Sequence, residues 1–402
     1  MKISNLYRSI ESVPIIFGSG INALGLVRSF GLDGKYVVIY DYRKDIACCS
    51  KYAVWRQCPN PLYEAHFITF LESEGQKFHF KPFILVTNDE WLIPISKNEQ
   101  RLSKYYIFSM SSWNVIENCT IKKNLYNILD GKNITLPWYI VCSSIDELLK
   151  RKLEIRYPVI IKPSVTIDFD KLLPSIGRNC EIHSVEELDQ YAQVLYSEGV
   201  SGVDFIVQEL IPGGAENLYT ITTLSDKNCD IIAYSTGHKI RQFPPNAGTI
   251  VSGEVMYVEK LYDEVVQIIR ELKFFGIANT EFKYDSRDHK YKLIEINPRP
   301  GKWNSSVLAT GINLPQLAYN LFVLHEKPSV IPIYNKCNII WADFFTDAYY
   351  ALVGYRRKGY KIYAMNLKEY MNSIKGKKYE AVFKWNDLKP FLSMLYNHFK
   401  RL

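Results

Sequence analysis

Three oxygen-bearing side chains, Glu281, Glu295 and Asn297, are spaced to meet at one point, and Arg299 follows two residues later. Thr280–Tyr284 and Tyr291–Ile296 read as two strands of a hairpin turning around Asp285–Lys290. The two-residue period of a strand puts Glu295 and Asn297 on one face, and antiparallel pairing brings Glu281 alongside. Two carboxylates and an amide oxygen are hard donors suited to Mg²⁺, which also takes phosphate oxygens. Arg299, on the same face, is placed to neutralise a phosphoryl group in transfer or an acyl phosphate. A hairpin standing alone would more simply be a solvated surface with ordinary charges, so the rest of the chain has to decide.

The elements that must hold these residues alternate in type. Val13–Phe17 reads as a strand, Gly18-Ser19-Gly20 as a turn and Ile21–Phe30 as a helix, with further strands at Tyr36–Tyr40 and Phe83–Thr87. Strand–helix alternation predicts a parallel sheet with helices on its faces. Gly18-Ser19-Gly20-Ile21-Asn22-Ala23 also fits GxGxxA between strand and helix, with Asp41 ending the next strand, which is the spacing of a dinucleotide-binding turn. That reading leads to an NAD(P)-dependent oxidoreductase. A substrate-facing loop or a plain tight turn wants the same glycines. Beyond it, Ile121–Leu129, Val185–Tyr196 and Tyr262–Leu272 read as helices, and Ser144 and Glu147 have capping-box spacing. Tyr157–Lys162, Phe205–Ile211, Leu218–Leu224 and Asp230–Tyr234 read as strands.

Residues 276–311 resemble the metal-binding strands of the ATP-grasp superfamily, in which an acid precedes a Glu-x-Asn-Pro-Arg motif. Glu281 and Glu295-Ile296-Asn297-Pro298-Arg299 match that motif in type, fourteen residues apart. Other landmarks occur in order upstream, and the resemblance covers roughly residues 10 to 325. Lys122 or Lys123 lies where the family has its first nucleotide lysine, and Lys123 is carried as the nucleotide ligand. Lys162 ends the YPVIIKP strand, where a second lysine contacts the α- and β-phosphates. Val207–Gly213 resembles the hinge strand at the adenine edge. Glu209 and Ile211 would be its main-chain acceptor and donor, and Glu216 would reach the ribose. The resemblance implies ATP and Mg²⁺ as cofactors, with Mn²⁺ as a substitute, and Glu281, Glu295 and Asn297 as metal ligands. One departure is Ser164–Asn179, which holds only Gly177 where many members carry a glycine-rich loop; Lys171 and Arg178 stand to close over the γ-phosphate instead.

The implied fold is α/β and α+β, an ATP-grasp architecture in three parts. These are an N-terminal parallel α/β domain (1–110), a two-lobed nucleotide-binding module (111–330, smaller lobe about 140–212) and a C-terminal appendage (331–402). Arrangement and length look most similar to the stand-alone carboxylate–amine ligases, including those similar to D-aspartate ligase. The implied activity is an ATP-dependent ligase that forms an amide bond through an acyl phosphate, on small-molecule or cell-wall, polysaccharide or peptide precursors. Gly237–Gly248 fits a Lys-x-Arg-x-x-Pro-Pro pattern of these ligases. In it Lys239 and Arg241 would alternate on a strand and clamp an anionic substrate beside Arg299. Trp303-Asn304-Ser305 would line the acceptor site, and His238 is the one histidine placed for a substrate contact. The alternatives are the oxidoreductase above and a nucleotide-binding protein without catalysis.

Composition bounds these readings. A chain of 402 residues predicts two or three domains, and 47% apolar with 23% charged residues is ordinary globular composition, away from disorder. No apolar run is long enough for a transmembrane helix, and Met1–Glu11 has no core of signal-peptide length. Eight scattered cysteines without a CxxC pair predict a reduced, cytoplasmic protein over a disulfide scaffold or a zinc site. The net charge is +7, yet residues 331–402 hold 13 Lys and Arg against 5 Asp and Glu, which leaves residues 1–330 at −1. In that tail Tyr349-Tyr350 and Tyr355–Tyr363 interleave aromatics with cations. This predicts either a surface for anionic lipid headgroups at the inner membrane face or an anionic glycan, or else a solvated face beside ordinary packing. Nucleic acid is not expected, and a homodimer is left open.

Overall fold

The computed structural model describes residues 1–164, 180–245, 248–328 and 338–400. Short runs rich in Val, Ile and Phe build the first layer: β1 (Pro14–Phe17), β2 (Val37–Asp41), β3 (Ala53–Gln57), β4 (Phe83–Val86) and β5 (Ile107–Phe108). They are parallel, in the order β3-β2-β1-β4-β5. β1, β2 and β4 are buried at every position, as strands covered by helices on both faces must be. The chain leaves β1 at Gly18, whose φ is +100° and where a Cβ would stand 2.0 Å from Thr87 Oγ1. Only glycine fits that turn.

A second, antiparallel sheet comprises β6 (Tyr139–Cys142), β7 (Val159–Pro163), β8 (Cys180–Ile182) and β9 (Phe205–Glu209), ordered β6-β9-β7-β8. It has its own core, including Leu148, Val159, Ile161, Leu188, Leu195 and Val207, as a separate lobe should. The expected capping box is half formed. Ser144 Oγ accepts from Glu147 N at 3.1 Å, but the Glu147 carboxylate accepts from Ser143 N at 2.7 Å and not from Ser144.

The third sheet carries the hairpin. It contains β10 (Leu218–Ser225), β11 (Ile231–Phe243), β12 (Thr249–Val255), β13 (Gly276–Asp285), β14 (Lys290–Asn297), β15 (Ile339–Ala342) and β16 (Lys377–Glu380), ordered β14-β13-β10-β11-β12-β15-β16. Glu281 pairs with Glu295, and Asn279 with Asn297. Phe282 pairs with Leu293, so Ile294 is an extra residue in β14, a β-bulge. Leu293 and Ile296 therefore face the main core beside Phe282.

The C-terminal residues were expected as an appendage, yet they complete this sheet. β15 pairs with β12 and β16 with β15. Two buried ion pairs fix the segment. The Arg241 guanidinium binds Asp347, with Nε 2.7 Å from Oδ1, and Ser252 Oγ donates to the same carboxylate at 2.8 Å. Arg28, in the helix Ile21–Leu32, donates to Asp387 Oδ2 at 3.0 Å and to the Ala381 carbonyl at 3.0 Å. The tail aromatics turn inward. Tyr350 stacks on Phe243 at 4.1 Å, and buried Tyr355 donates its hydroxyl to the Gln242 carbonyl at 2.7 Å. What read as an aromatic–cation surface is thus a packing seam with cations on its outer side. No helix among the described residues is long and apolar enough to cross a membrane.

Removing one partner of a buried ion pair strands the other charge, at about 3–5 kcal/mol. Asp347→Ala should lower the unfolding free energy by that amount in urea, while Arg357→Ala on the exposed face should change it by less than about 0.5 kcal/mol. Equal effects would show that residues 338–400 are not part of the cooperative unit.

Candidate active site

The second and third sheets face each other across a cavity of about 450 Å³, closed at one end by the loop after β4 and the loop after β14. At the end nearest the smaller lobe, Lys162 closes β7 with its Nζ 3.3 Å from Gln208 Oε1. Burial pushes this ammonium down to about 8, and the neighbouring Lys122 charge adds to the shift against the opposing pull of Glu295 and Glu281. Lys122 lines the cavity, and its charge also acts on Glu295. Lys123 does not line it. Its Nζ pairs with Asp204 at 2.9 Å, where both side chains are more than a third exposed. Successive residues on a helix point about 100° apart, so only one of the two lysines can face inward, and it is Lys122.

At the hinge, Glu209 and Ile211 both line the cavity. Glu209 N donates to the Trp138 carbonyl at 2.9 Å, while its carboxylate accepts from Trp138 N (2.9 Å), Lys292 Nζ (2.8 Å) and Arg287 Nη2 (2.6 Å). These bonds hold the strand rigid and leave its edge toward the cavity. Glu216 lies elsewhere. It is in a short 3-10 turn, its carboxylate accepts from Gly214 N at 2.9 Å, and it does not line the cavity.

At the hairpin, Glu281 Oε2 lies 2.9 Å from Lys239 Nζ, and Glu295 Oε1 accepts from Asn297 Nδ2 at 2.9 Å. Burial would raise the Glu295 carboxyl, but Lys122, Asn297, Lys239 and Lys162 together hold it below the usual range, so it is ionised. Arg299 Nη2 donates to Asn297 Oδ1 at 3.2 Å, and its Nε binds Asp89 Oδ1 at 2.7 Å. Burial opposes the Arg299 charge, and Asp89, Glu295 and Glu281 outweigh it. The sequence reading passed over Asp89. The available signal was Asn88 as N-cap with an acid in the first turn of the helix Asp89–Lys97, directly after a parallel strand.

Of the Lys-x-Arg pair only Lys239 reaches the cavity. Lys239 pairs with Gly253 and Arg241 with Ser252, so a bulge at Ile240 breaks the alternation and Arg241 turns away to Asp347. Arg241 is a structural cation here, not a substrate clamp. His238 also stays outside the lining, with its Nε2 3.1 Å from Glu254. Trp303 forms part of the wall, but its indole is buried over Gly237 and Gly253, where added Cβ atoms would come within 2.8 and 3.0 Å. Asn304 and Ser305 brace the loop by bonding the Asn22 carbonyl and Trp341 Nε1, at 2.9 Å each. Ser164 is described, but residues 165–179, with Lys171, Gly177 and Arg178 of the expected lid, lie outside the described residues.

The Gly18 turn borders a smaller cavity of about 260 Å³ that shares Asn22, Thr87 and Asn88 with the main one. Asp41, which would have to hold a ribose for a dinucleotide, is already engaged. It accepts from Ser19 Oγ at 2.7 Å and Arg43 N at 3.0 Å, and burial raises its carboxyl. The acid therefore braces the turn, which argues against the oxidoreductase.

Glu281, Glu295 and Asn297 form a donor set of two carboxylates and one amide oxygen on adjacent strands, surrounded by cations. That chemistry fits a hard divalent ion such as Mg²⁺, or Mn²⁺, and does not suit a thiophilic metal.

Lys162 carries a sign opposite to that of a salt-bridged lysine. Its ordinary value is 10.5 and its folded value about 8. Below about pH 8 both states hold the proton and the buried charge destabilises the fold by a constant amount. Between about 8 and 10.5 the unfolded chain holds more protons, so this group's contribution to stability rises with pH. Nucleotide affinity should fall above pH 8, with proton uptake on binding, measured by calorimetry in buffers of different ionisation enthalpy. Lys162→Met should weaken ATP binding at least about tenfold without lowering Tm. An unchanged affinity would remove Lys162 from the nucleotide site.

A family model described as "Carbamoyl-phosphate synthase L chain, ATP binding domain" matches residues 219–322, the span from β10 through the helix Leu314–Phe322. A D-aspartate ligase from Enterococcus faecium (strain Aus0004) is 24% identical over 345 residues, 83% of this chain and 79% of the relative. Among solved structures, an L-amino acid ligase from Bacillus licheniformis superposes with a TM-score of 0.59 at 17% identity, over 78% of this chain and 74% of that one. An N5-carboxyaminoimidazole synthetase from Staphylococcus aureus complexed with ADP gives 0.61 at 16% identity, over 81% of each. At these identities the structures speak for the fold. With the family model, the D-aspartate ligase relative and the ordered site residues, they make the chain similar to the stand-alone carboxylate–amine ligases of the ATP-grasp superfamily.

Proposed function

We propose that this chain is an ATP-dependent ligase that joins a carboxylate to an amine through an acyl phosphate, with an amino acid among its substrates and a small-molecule or cell-wall, polysaccharide or peptide precursor as the other. The observation that carries the reading is one cavity that collects Lys122, Lys162, the hinge Glu209–Ile211, the opposed Glu281 and Glu295, Asn297 and Arg299. The amino-acid substrate is supported by the D-aspartate ligase and L-amino acid ligase relatives.

In this reading Lys122 and Lys162 bind the phosphates, and the apolar walls at Ile160, Ile211 and Ile294 take the base. Glu281, Glu295 and Asn297 would hold Mg²⁺, which when bound supplies charge compensation for the phosphate oxygens. A substrate carboxylate oxygen attacks the γ-phosphorus, the bond to the β–γ bridging oxygen breaks, and ADP leaves. The amine nitrogen then attacks the acyl carbon, inorganic phosphate departs, and the ammonium proton is lost to solvent. Arg299 lies beside the phosphoryl group throughout and offsets its charge, while Asp89 keeps the guanidinium aimed. No protein nucleophile is needed, because binding in line is the larger part of the catalysis. The proposal extends to location: exposed Arg356, Arg357, Lys358 and Lys361 would let the chain rest on an anionic membrane or glycan, which co-sedimentation with anionic vesicles tests.

ADP release should require both a carboxylate and an amine. Glu295→Ala should reduce it at least about a hundredfold with Tm and far-UV circular dichroism preserved. Background ADP release across a broad panel of carboxylate and amine pairs would sink the ligase reading in favour of nucleotide binding without catalysis.

A further inference from the structure

The helix Lys389–Phe399 has two faces of opposite character. Phe391, Met394 and His398 turn inward. The Phe391 ring meets Phe383 at 5.2 Å and Phe345 at 6.3 Å, His398 meets Tyr349 at 4.8 Å, and Met394 packs on the core beneath. At about 100° per residue, the opposite face carries Lys389, Leu392, Tyr396 and, just past the helix end, Lys400. All four are exposed, Leu392 at 58% and Tyr396 at 66%. Trp385 is 82% exposed and lies beside them, because its ring meets Phe383 at 4.8 Å and Phe383 is in contact with Phe391. A single exposed Leu is ordinary. A Trp, a Leu and a Tyr gathered on one face, with a lysine at each end of the helix, form a patch.

Charge decides what covers it. The one acid in residues 381–400 is Asp387, and it is buried, accepting from Arg28 Nε at 3.0 Å, Ser50 Oγ at 2.8 Å and Lys51 N at 2.9 Å. The segment therefore shows cations and no exposed acid to its surroundings. That disfavours a second copy of the helix as the cover. Parallel pairing would set Lys389 and Lys400 each against its own copy, and antiparallel pairing would set Lys389 against Lys400. An anionic bilayer suits the whole stripe. Indole and phenol rings settle at headgroup level, Leu392 reaches the acyl boundary, and the lysines extend to lipid phosphates.

We propose that Trp385, Lys389, Leu392, Tyr396 and Lys400 form a membrane-docking surface, whose apolar side chains enter the headgroup region of an anionic bilayer while its lysines meet the lipid phosphates. A membrane as partner rests on the location reading above; the residues that enter it do not, because they lie outside Arg356–Lys361 and act by burial as well as charge. On its inner side the helix packs on the 3-10 turn Ile46–Cys49, where Ala47 N bonds the Ser19 carbonyl at 2.9 Å. The docked element is thus fastened to the parallel sheet domain. None of the five residues lines either cavity, so their loss should leave ADP release in solution unchanged.

The test uses the full chain with vesicles of pure phosphatidylcholine and of equal parts phosphatidylcholine and phosphatidylglycerol. The wild type should sediment with the anionic vesicles only, and less as salt is raised. Trp385→Ser combined with Leu392→Ser should weaken partitioning at least about tenfold. Lys389→Gln combined with Lys400→Gln should weaken it about ten- to thirtyfold, and the corresponding pair of Lys→Arg changes should preserve it. Tryptophan emission should move to shorter wavelength on binding, with most of that shift gone in Trp385→Phe. Unchanged partitioning of the Trp385→Ser, Leu392→Ser protein overturns the proposal. If binding is then lost on Arg356→Gln with Arg357→Gln, the location reading stands without it. A wild type that ignores anionic vesicles overturns both, while the ligase reading is judged separately by ADP release. A dimer in sedimentation velocity that Leu392→Ser converts to monomer assigns the stripe to a second copy and overturns the membrane partner. Should the double variant fail to fold, Tyr396→Ser serves in the same assays.

Discussion

Glu281 and Glu295 stand directly opposite each other on paired strands, and the rest of the site follows from that opposition. Facing residues on antiparallel strands place their Cβ atoms about 4.5–5.5 Å apart, where like charges repel. At Glu295 the repulsion is sharpened by burial, which alone would protonate the carboxyl. Cations from three different elements offset it: Lys239 from β11, Lys162 from β7 and Lys122 from the helix Lys122–Leu129. Removing any one of them leaves the buried Glu295 carboxylate less compensated, although Lys122 and Lys162 also repel each other. Among the charged residues lining the cavity, six Lys and Arg face four Asp and Glu, an excess of two positive charges and the sign a nucleotide triphosphate requires.

Two bulges decide which side chains take part. In β14 the extra residue Ile294 lets Leu293 and Ile296 face the core while Ile294, Glu295 and Asn297 face the cavity. One stretch of chain therefore supplies an apolar wall and two metal donors without breaking the sheet. In β11 a bulge at Ile240 separates Lys239, which enters the cavity, from Arg241, which fastens the C-terminal segment. Both devices use the same physics, a one-residue slip that exchanges the faces of everything after it.

That physics also explains what was legible. The hairpin, its turn and the pairing of Glu281 with Glu295 follow from a two-residue period and a polar loop, both visible in residues 280–297. A bulge leaves no comparable mark, so Arg241 read as a neighbour of Lys239. Lys122 and Lys123 are adjacent on a helix whose inward face is set by tertiary packing, and nothing local distinguishes them. Asp89 and Lys302 reach the site from the loops after β4 and β14, and residues gathered by loops carry no periodicity to read. The packing of the tail aromatics was hidden for a related reason. Tyr-rich, Lys-rich composition is shared by a membrane-facing surface and by a half-buried seam with snorkelling cations. Phe243, Tyr350 and Tyr355 show the second case.

The cavity-lining loop after β14 is tied to the parallel sheet domain. Asp89 from that domain reaches Arg299 on the loop. A displacement of the domain would therefore move the carboxylate relative to the loop, and with it the field that Arg299 presents to a substrate. Away from the cavity, Arg28 and Arg241, bound to Asp387 and Asp347, tie the C-terminal segment to the parallel sheet domain and to the third sheet. The C-terminal residues thus support the site by extending the sheet that carries it, although only their basicity was visible in the sequence.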